Sequence, residues 1–346
     1  MARRSRVRHM IKVELAHGMQ VDGFGAMAPK TQKNNLIALI VLIVGGTAAV
    51  GGWWMSRPSI QPFVQEPGQA AYAEQSGLPI EKTNSVGIVM RLIPPGTYRR
   101  GSPLDEYGRR ANERPHTVHI RHTIYMAATE TTQQQYEEIM GANPSSVREG
   151  REHTPVDSMT FGEAVTFCNR LSEREGLEPV YEQEGNVWVA YHERNGYRLP
   201  LEAEWEYAAR ATTEDAFYTG PIEPRSQGRR NLWRAAWYSD TSRGRPREVG
   251  QREPNGWGLY DILGNVWEWC WDWYADYPLT SDFDLRGPER SNQGRVIRGG
   301  GWYDRKERCR VAYRRFHFPA EPLNILGFRV VRTVIPPDTW RNTPPE

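Results

Sequence analysis

Asp261, Gly264, Val266 and Glu268 fall at offsets of 0, 3, 5 and 7 in the segment GLYDILGNVWEW at 258–269. Two carboxylates and two backbone carbonyls so spaced suit a hard cation such as calcium, which takes oxygen ligands in flexible geometry. A bend at Gly264 would aim the carbonyls of Gly264 and Val266 inward beside the two acids. In the alternative, Asp261 and Glu268 cap turns or pair with arginines. Thiolates suit soft metals such as Cu(I), and the chain has three cysteines, Cys168, Cys270 and Cys309. They include no CxxC pair for zinc and are too few for a disulfide framework. His116, His119 and His122 recur every third residue in a segment patterned as a strand, where alternate side chains face opposite sides. No acid completes a metal site with them, and they read as surface histidines. GxSxG, Walker and HExxH motifs are absent, so hydrolase and nucleotide chemistry lack support.

The elements that must position these residues are sparse. Hydrophobic residues make up 38% of the 346, yet there are 13 Trp and 16 Tyr, so a core would lean on large rings. With 32 Gly and 25 Pro, turns should outnumber regular elements. Val86 to Ile93 predicts a strand ended by Pro94-Pro95-Gly96. Thr131 to Gly141 predicts a helix with a threonine N-cap and a closing glycine. Thr160 to Gly176 has apolar residues at 161, 164, 165, 168 and 171, a helical spacing that places Cys168 on the buried face. Pro200 opens a third helix, and beyond Thr212 loops and short strands are expected. The fold class is α+β, one large domain over 86–334 with little regular structure.

Outside that domain, Leu36 to Met55 is an uncharged apolar run of 20 residues, long enough to cross a bilayer as a helix. Lys33 and Arg57 bracket it, and Trp53 and Trp54 sit where an interfacial belt would lie. The basic residues of 1–35 keep the N-terminus cytoplasmic under the positive-inside rule, leaving the domain periplasmic or extracellular. The small residues from Gly45 to Gly52 would also allow a cleaved signal peptide, but the run exceeds a usual h-region. The expectation is an uncleaved single-pass transmembrane anchor at 36–55, a Pro- and Gln-rich linker at 56–85, and a Pro-rich tail at 335–346. A formal charge of +2, with no basic stripe interleaved with aromatics, gives no support to nucleic-acid binding.

The ordered motifs resemble the sulfatase-modifying-factor family, whose founding members are formylglycine-generating enzymes. They are Gly101-Ser102-Pro103, Thr129-Glu130-Thr131-Thr132, YRLP at 197–200 running into EAEWEYAAR at 202–210, NGWGLYD at 255–261, GNVWEW at 264–269, Arg298-Gly299-Gly300 and GFRV at 327–330. The resemblance implies a C-type-lectin-like fold with much irregular backbone. It implies a structural calcium at Asp261, Gly264, Val266 and Glu268, and a second site involving Asn231 and the Leu232 carbonyl, with Asp240 a candidate acid. It also implies oxidation of a substrate cysteine through copper held by two cysteines five residues apart, a soft-ligand pair suited to Cu(I).

Counting forward from Arg298 puts Asp304 at the first cysteine position and Cys309 at the second. Counting back from Arg310-Val311-Ala312 moves Cys309 to a neighbouring, non-catalytic position. Arg305, Lys306, Arg308, Arg310, Arg314 and Arg315 form a basic cluster in the same loop, either a solvated face balanced by Glu307 or a site for an acidic or extended partner. The expected function is a membrane-anchored binding or accessory module that presents the groove near 298–328 to an exported protein or peptide. The alternative is a working oxidase whose copper site uses Cys309 as its catalytic thiolate.

Overall fold

The computed structural model describes residues 66–147, 151–223, 226–277 and 286–334. Glu66 opens helix α1 (Pro67–Ser76) by accepting from the amides of Gly68 and Gln69, and Gly77 closes it in the left-handed conformation. Strands β1 (Glu81–Thr83), β2 (Val89–Ile93), β3 (Gly96–Arg100), β4 (His116–Ile120) and β5 (Ile124–Ala127) follow. Helix α2 (Gln133–Met140) starts at a capping box made by Thr132 and Gln135 and ends at Gly141. Helix α3 (Phe161–Arg174) starts at a second box, Thr160 with Glu163. Next come β6 (Tyr181–Glu184), β7 (Val187–Ala190), β8 (Tyr197–Arg198), α4 (Glu202–Arg210), α5 (Ser226–Ala235), β9 (Trp267–Trp273) and β10 (Arg295–Arg298). A 3-10 turn at Lys306–Cys309 precedes β11 (Arg315–His317), β12 (Leu326–Gly327) and β13 (Val331–Thr333).

The strands form a five-stranded sheet in the order β1-β2-β5-β13-β8 and a four-stranded sheet in the order β11-β10-β9-β12. The pairs β3–β4 and β6–β7 stand apart as hairpins. Apolar packing divides in two. Around α3, Phe167, Cys168 and Leu171 pack with Tyr136, Phe328 and Val330. The Tyr136 and Phe167 rings stack 5.6 Å apart. Around α4, Trp205 and Ala208 pack with Trp257, Ile262, Cys270, Cys309 and Val311.

The three predicted helices and the α+β class are present, with three corrections. The stretch assigned to a linker is folded from Glu66 onward: Gln69 is buried and its amide donates to the carbonyls of Leu92 and Trp257, while β1 pairs with β2. Its polar composition hid the fact that Ala73 and Gln69 point inward. Helix α5 lies where loops were expected, because of its described side chains only Leu232 and Ala235 are buried, too few to mark a period. His122 is not a free surface histidine, since its ring bonds Glu204 at 2.7 Å. No helix among the described residues is long and apolar enough to cross a membrane. The expected span at 36–55 and tail at 335–346 lie outside the described residues.

Candidate functional site

The 258–269 segment is bent by left-handed residues at Asp261 (φ 52°), Gly264 (φ 81°) and Asn265 (φ 54°). Glycine is required at 264, where a Cβ would lie 2.4 Å from the Trp237 carbonyl oxygen. Asp261 is fully buried. One of its oxygens, Oδ2, accepts from the Gly250 amide at 2.6 Å, and the other, Oδ1, has no hydrogen-bond partner. Burial pushes this carboxyl up to about 6. Glu268 accepts two bonds from Arg329, each 2.7 Å, and one from Trp205 Nε1 at 2.8 Å. Its positive partner is therefore an arginine.

Glu130, quoted above only as part of a motif, belongs to the same cluster. It accepts from the Val266 amide and the Asn265 side chain, and burial together with the charges of Asp261 and Glu268 holds it well above the usual carboxylate range. The orphaned Asp261 oxygen fits a cation, and Glu268 fits one only if it gives up Arg329. Asn231 and Leu232 are differently engaged. The Asn231 amide donates to the Pro221 carbonyl at 2.9 Å, and the Leu232 carbonyl accepts the Ala236 amide next to α5.

The 298–314 segment is tied to α4 from below. Arg298 reaches Glu202 and Glu206 of α4 and the Val311 carbonyl, all buried. Gly299 and Gly300 take φ of 95° and 80°, and a Cβ on Gly300 would stand 2.8 Å from Cys309 Sγ. Asp304 is buried with both oxygens used. Its Oδ2 accepts from Trp267 Nε1 at 2.7 Å and the Gly301 amide at 3.0 Å, and its Oδ1 accepts from Arg308 at 2.8 Å. Cys309 ends the 3-10 turn fully buried, and burial raises its thiol well above the usual range. Cys168 and Cys270 are buried free thiols held protonated in the same way.

The basic cluster is dispersed. Arg310 pairs with Glu113 and Glu106, and Arg314 takes both oxygens of Glu202. Arg308 pairs with Asp304, and Lys306 donates to the Glu223 carbonyl. Arg310 and Arg314 fasten the loop to the interior, and nothing local pointed to partners lying up to 204 positions away.

Two clefts open beside β9. One, of about 420 Å³, is lined by Trp188, His192, Trp271, Trp273 and Arg295 together with 286–290. The other, of about 300 Å³, holds Arg100, His116, Tyr277 and Arg314, and shares Asp272, Trp273 and Arg286 with the first.

Residues 76–334 match the family model described as "Sulfatase-modifying factor enzyme 1-like domain". The chain belongs to that family. A "Chaperone protein LppX" of Paenibacillus barcinonensis is 33% identical over 243 residues, 61% of this chain and 80% of that one. The formylglycine-generating enzyme of Thermomonospora curvata is 39% identical over 170 residues, 44% of this chain and 54% of the enzyme. A serine/threonine-protein kinase pkn1 of Chlamydia pneumoniae is 30% identical over 281 residues, with 42% of its length covered. The chain thus spans about half or less of the enzyme and the kinase. Among solved structures, the Treponema denticola variable protein 1 superposes with a TM-score of 0.65 at 33% identity, over 73% of this chain and 99% of that one. The mixed α+β fold is that of the family.

Proposed function

We propose that this domain is a membrane-anchored, exported binding or accessory module of the family and not its copper-dependent oxidase. Asp304 carries the reading. It stands where the count from Arg298 places the first thiolate, and its oxygens are spent on Trp267, Gly301 and Arg308. A carboxylate is a hard donor that suits Cu(I) poorly. Cys309, the second position in that count, is enclosed with its thiol held protonated at neutral pH. Copper does not fit this set of residues. The name of the Paenibacillus relative, a chaperone, supports an accessory role. The partner would be an exported protein or peptide received on 298–328, where Tyr303 and Phe318 stand exposed.

The apolar run at 36–55 supports the anchor and the position outside the cytoplasm. Calcium would be held by Asp261 Oδ1 with the carbonyls of Gly264 and Val266, and would supply structural charge to a buried acidic cluster. The engagement of Asn231 and Leu232 in α5 gives the second site less support.

The test is incubation of the purified protein, with copper and oxygen, with a peptide carrying Cys-x-Pro-x-Arg, followed by mass spectrometry. The expected result is an unchanged cysteine. Conversion to the aldehyde, lost in Cys309→Ser, would establish the oxidase instead.

A further inference from the structure

Arg295 differs from the other buried arginines. Its residue is 4% exposed, yet no carboxylate among the described residues pairs with it. Every other arginine buried to a similar degree in the described residues has a glutamate partner. One Arg295 nitrogen donates to the Trp271 carbonyl, and Nε has no acceptor at all. The guanidinium lies over the rings of Phe161, Trp271 and Trp273, with centroids 4.5, 4.4 and 4.1 Å away. These rings give cation–π attraction but no hydrogen-bond acceptors. Asp272, the acid whose field reaches Arg295, spends its oxygens on the amides of Glu202 and Gly287.

An uncompensated buried charge is costly. Burial accordingly drags the Arg295 guanidinium down to about 10. The cost makes sense where a ligand supplies the missing anion, and Arg295 lines the 420 Å³ cleft described above. That volume falls in the range of small-molecule sites, and the walls set the indoles of Trp188, Trp271 and Trp273 among charged side chains, Asp272 and Glu289 against Arg286, Arg290 and Arg295. His192 adds a second buried nitrogen without a partner, Nδ1, on the same cleft. Arg286, Arg290 and Glu289 stand exposed at the rim.

We propose that this cleft is a carboxylate subsite, in which a small organic acid or the acidic end of a peptide sets its planar carboxylate against Arg295 and its apolar body against the indoles of Trp188 and Trp273. A guanidinium edge matches a planar carboxylate. The subsite does not depend on whether the domain oxidises cysteine, because Arg295 lies outside the 304–309 loop. A failed oxidase assay and a failed binding assay therefore report on different statements.

Isothermal titration of the full chain with benzoate and its neutral isostere benzamide tests the subsite. Benzoate should bind about tenfold or more tighter than benzamide, and Arg295→Gln should remove that preference while leaving benzamide unchanged. Trp188→Ala, at a half-buried hairpin position, should weaken both. An acetylated tetra-alanine with a free C-terminus, against its amide, reports whether a peptide acid enters, and benzenesulfonate whether the anion must be planar. Equal binding of benzoate and benzamide, or unchanged benzoate binding in Arg295→Gln, would overturn the proposal. Should Arg295→Gln fail to fold by circular dichroism, unchanged benzoate binding in Trp188→Ala would do the same.

Discussion

The packing around α3 and the packing around α4 bury their helices by opposite means. Helix α3 turns Phe161, Ala164, Val165, Phe167, Cys168 and Leu171 inward and leaves its charges outside. Helix α4 is buried on every face, including Glu202, Glu204 and Glu206. Glu202 receives Arg314, Arg298 and Arg100; Glu204 receives Arg198 and His122; Glu206 receives Arg298 and Arg210. The first arrangement asks for volume, and the second for charge and geometry at once. A hydrophobic contact tolerates many partners of the right size, whereas a buried ion left alone is destabilising even when its shape is kept.

The largest effect should come from breaking the second arrangement without changing its shape. Glu202→Gln leaves three buried guanidiniums short of one charge and should cost about 3–5 kcal/mol in guanidinium unfolding. A loss below about 1 kcal/mol would show that water or rearrangement replaces the acid.

The pH profile separates the two kinds of buried acid. Burial alone would raise the Glu202 carboxyl, but Arg314, Arg100 and Arg298 hold it at about 2. A carboxyl depressed in the folded state stabilises above its unfolded pKa, and that contribution disappears as pH falls from about 4.5 to about 2. Asp261 and Asp272 are raised to about 6, so the folded state takes up their protons first and gains stability between pH 6 and about 4. Thermal unfolding without divalent cations should therefore show a maximum near pH 4–5, with an acid limb worth on the order of 2–3 kcal/mol. Calcium at Asp261 would flatten the neutral side of that maximum, and Asp261→Asn would remove the difference.

The smallest effect belongs to α3. Phe167→Leu keeps an apolar side chain between Tyr136 and Phe328 and should cost less than about 1.5 kcal/mol by the same unfolding measurement. A loss matching that of Glu202→Gln would erase the contrast between the two regions.

The same contrast explains what could be read before folding. The threonine before α2 and the glycine after it, and the apolar spacing of α3, are local signals that marked both helices; the capping boxes that start them, Thr132 with Gln135 and Thr160 with Glu163, are equally local, three residues apart. The motifs around α4 and Arg298 were visible as strings, which was enough to identify the family and its α+β fold. The partners were not visible, since Arg310 meets Glu113 across 197 positions and Arg329 meets Glu268 across 61. That Glu268 would be held by an arginine was one of two options open in the sequence, and nothing local decided between them. Asp304 was legible as the residue that the count from Arg298 puts at the first cysteine position, but its bond to the Trp267 indole was not. Arg295 escaped notice because nothing in the sequence separates an arginine with a buried acid from one without.

The three cysteines sit at 0% exposure, one in the α3 packing and two in the α4 packing. A thiol reagent can reach them only when the surrounding structure opens. Their modification rates therefore act as internal clocks, with Cys168 timing the opening of one half of the interior and Cys270 and Cys309 the other. If the halves come apart together the clocks will agree, and if the ion-threaded half opens first, two of them will run ahead of the third.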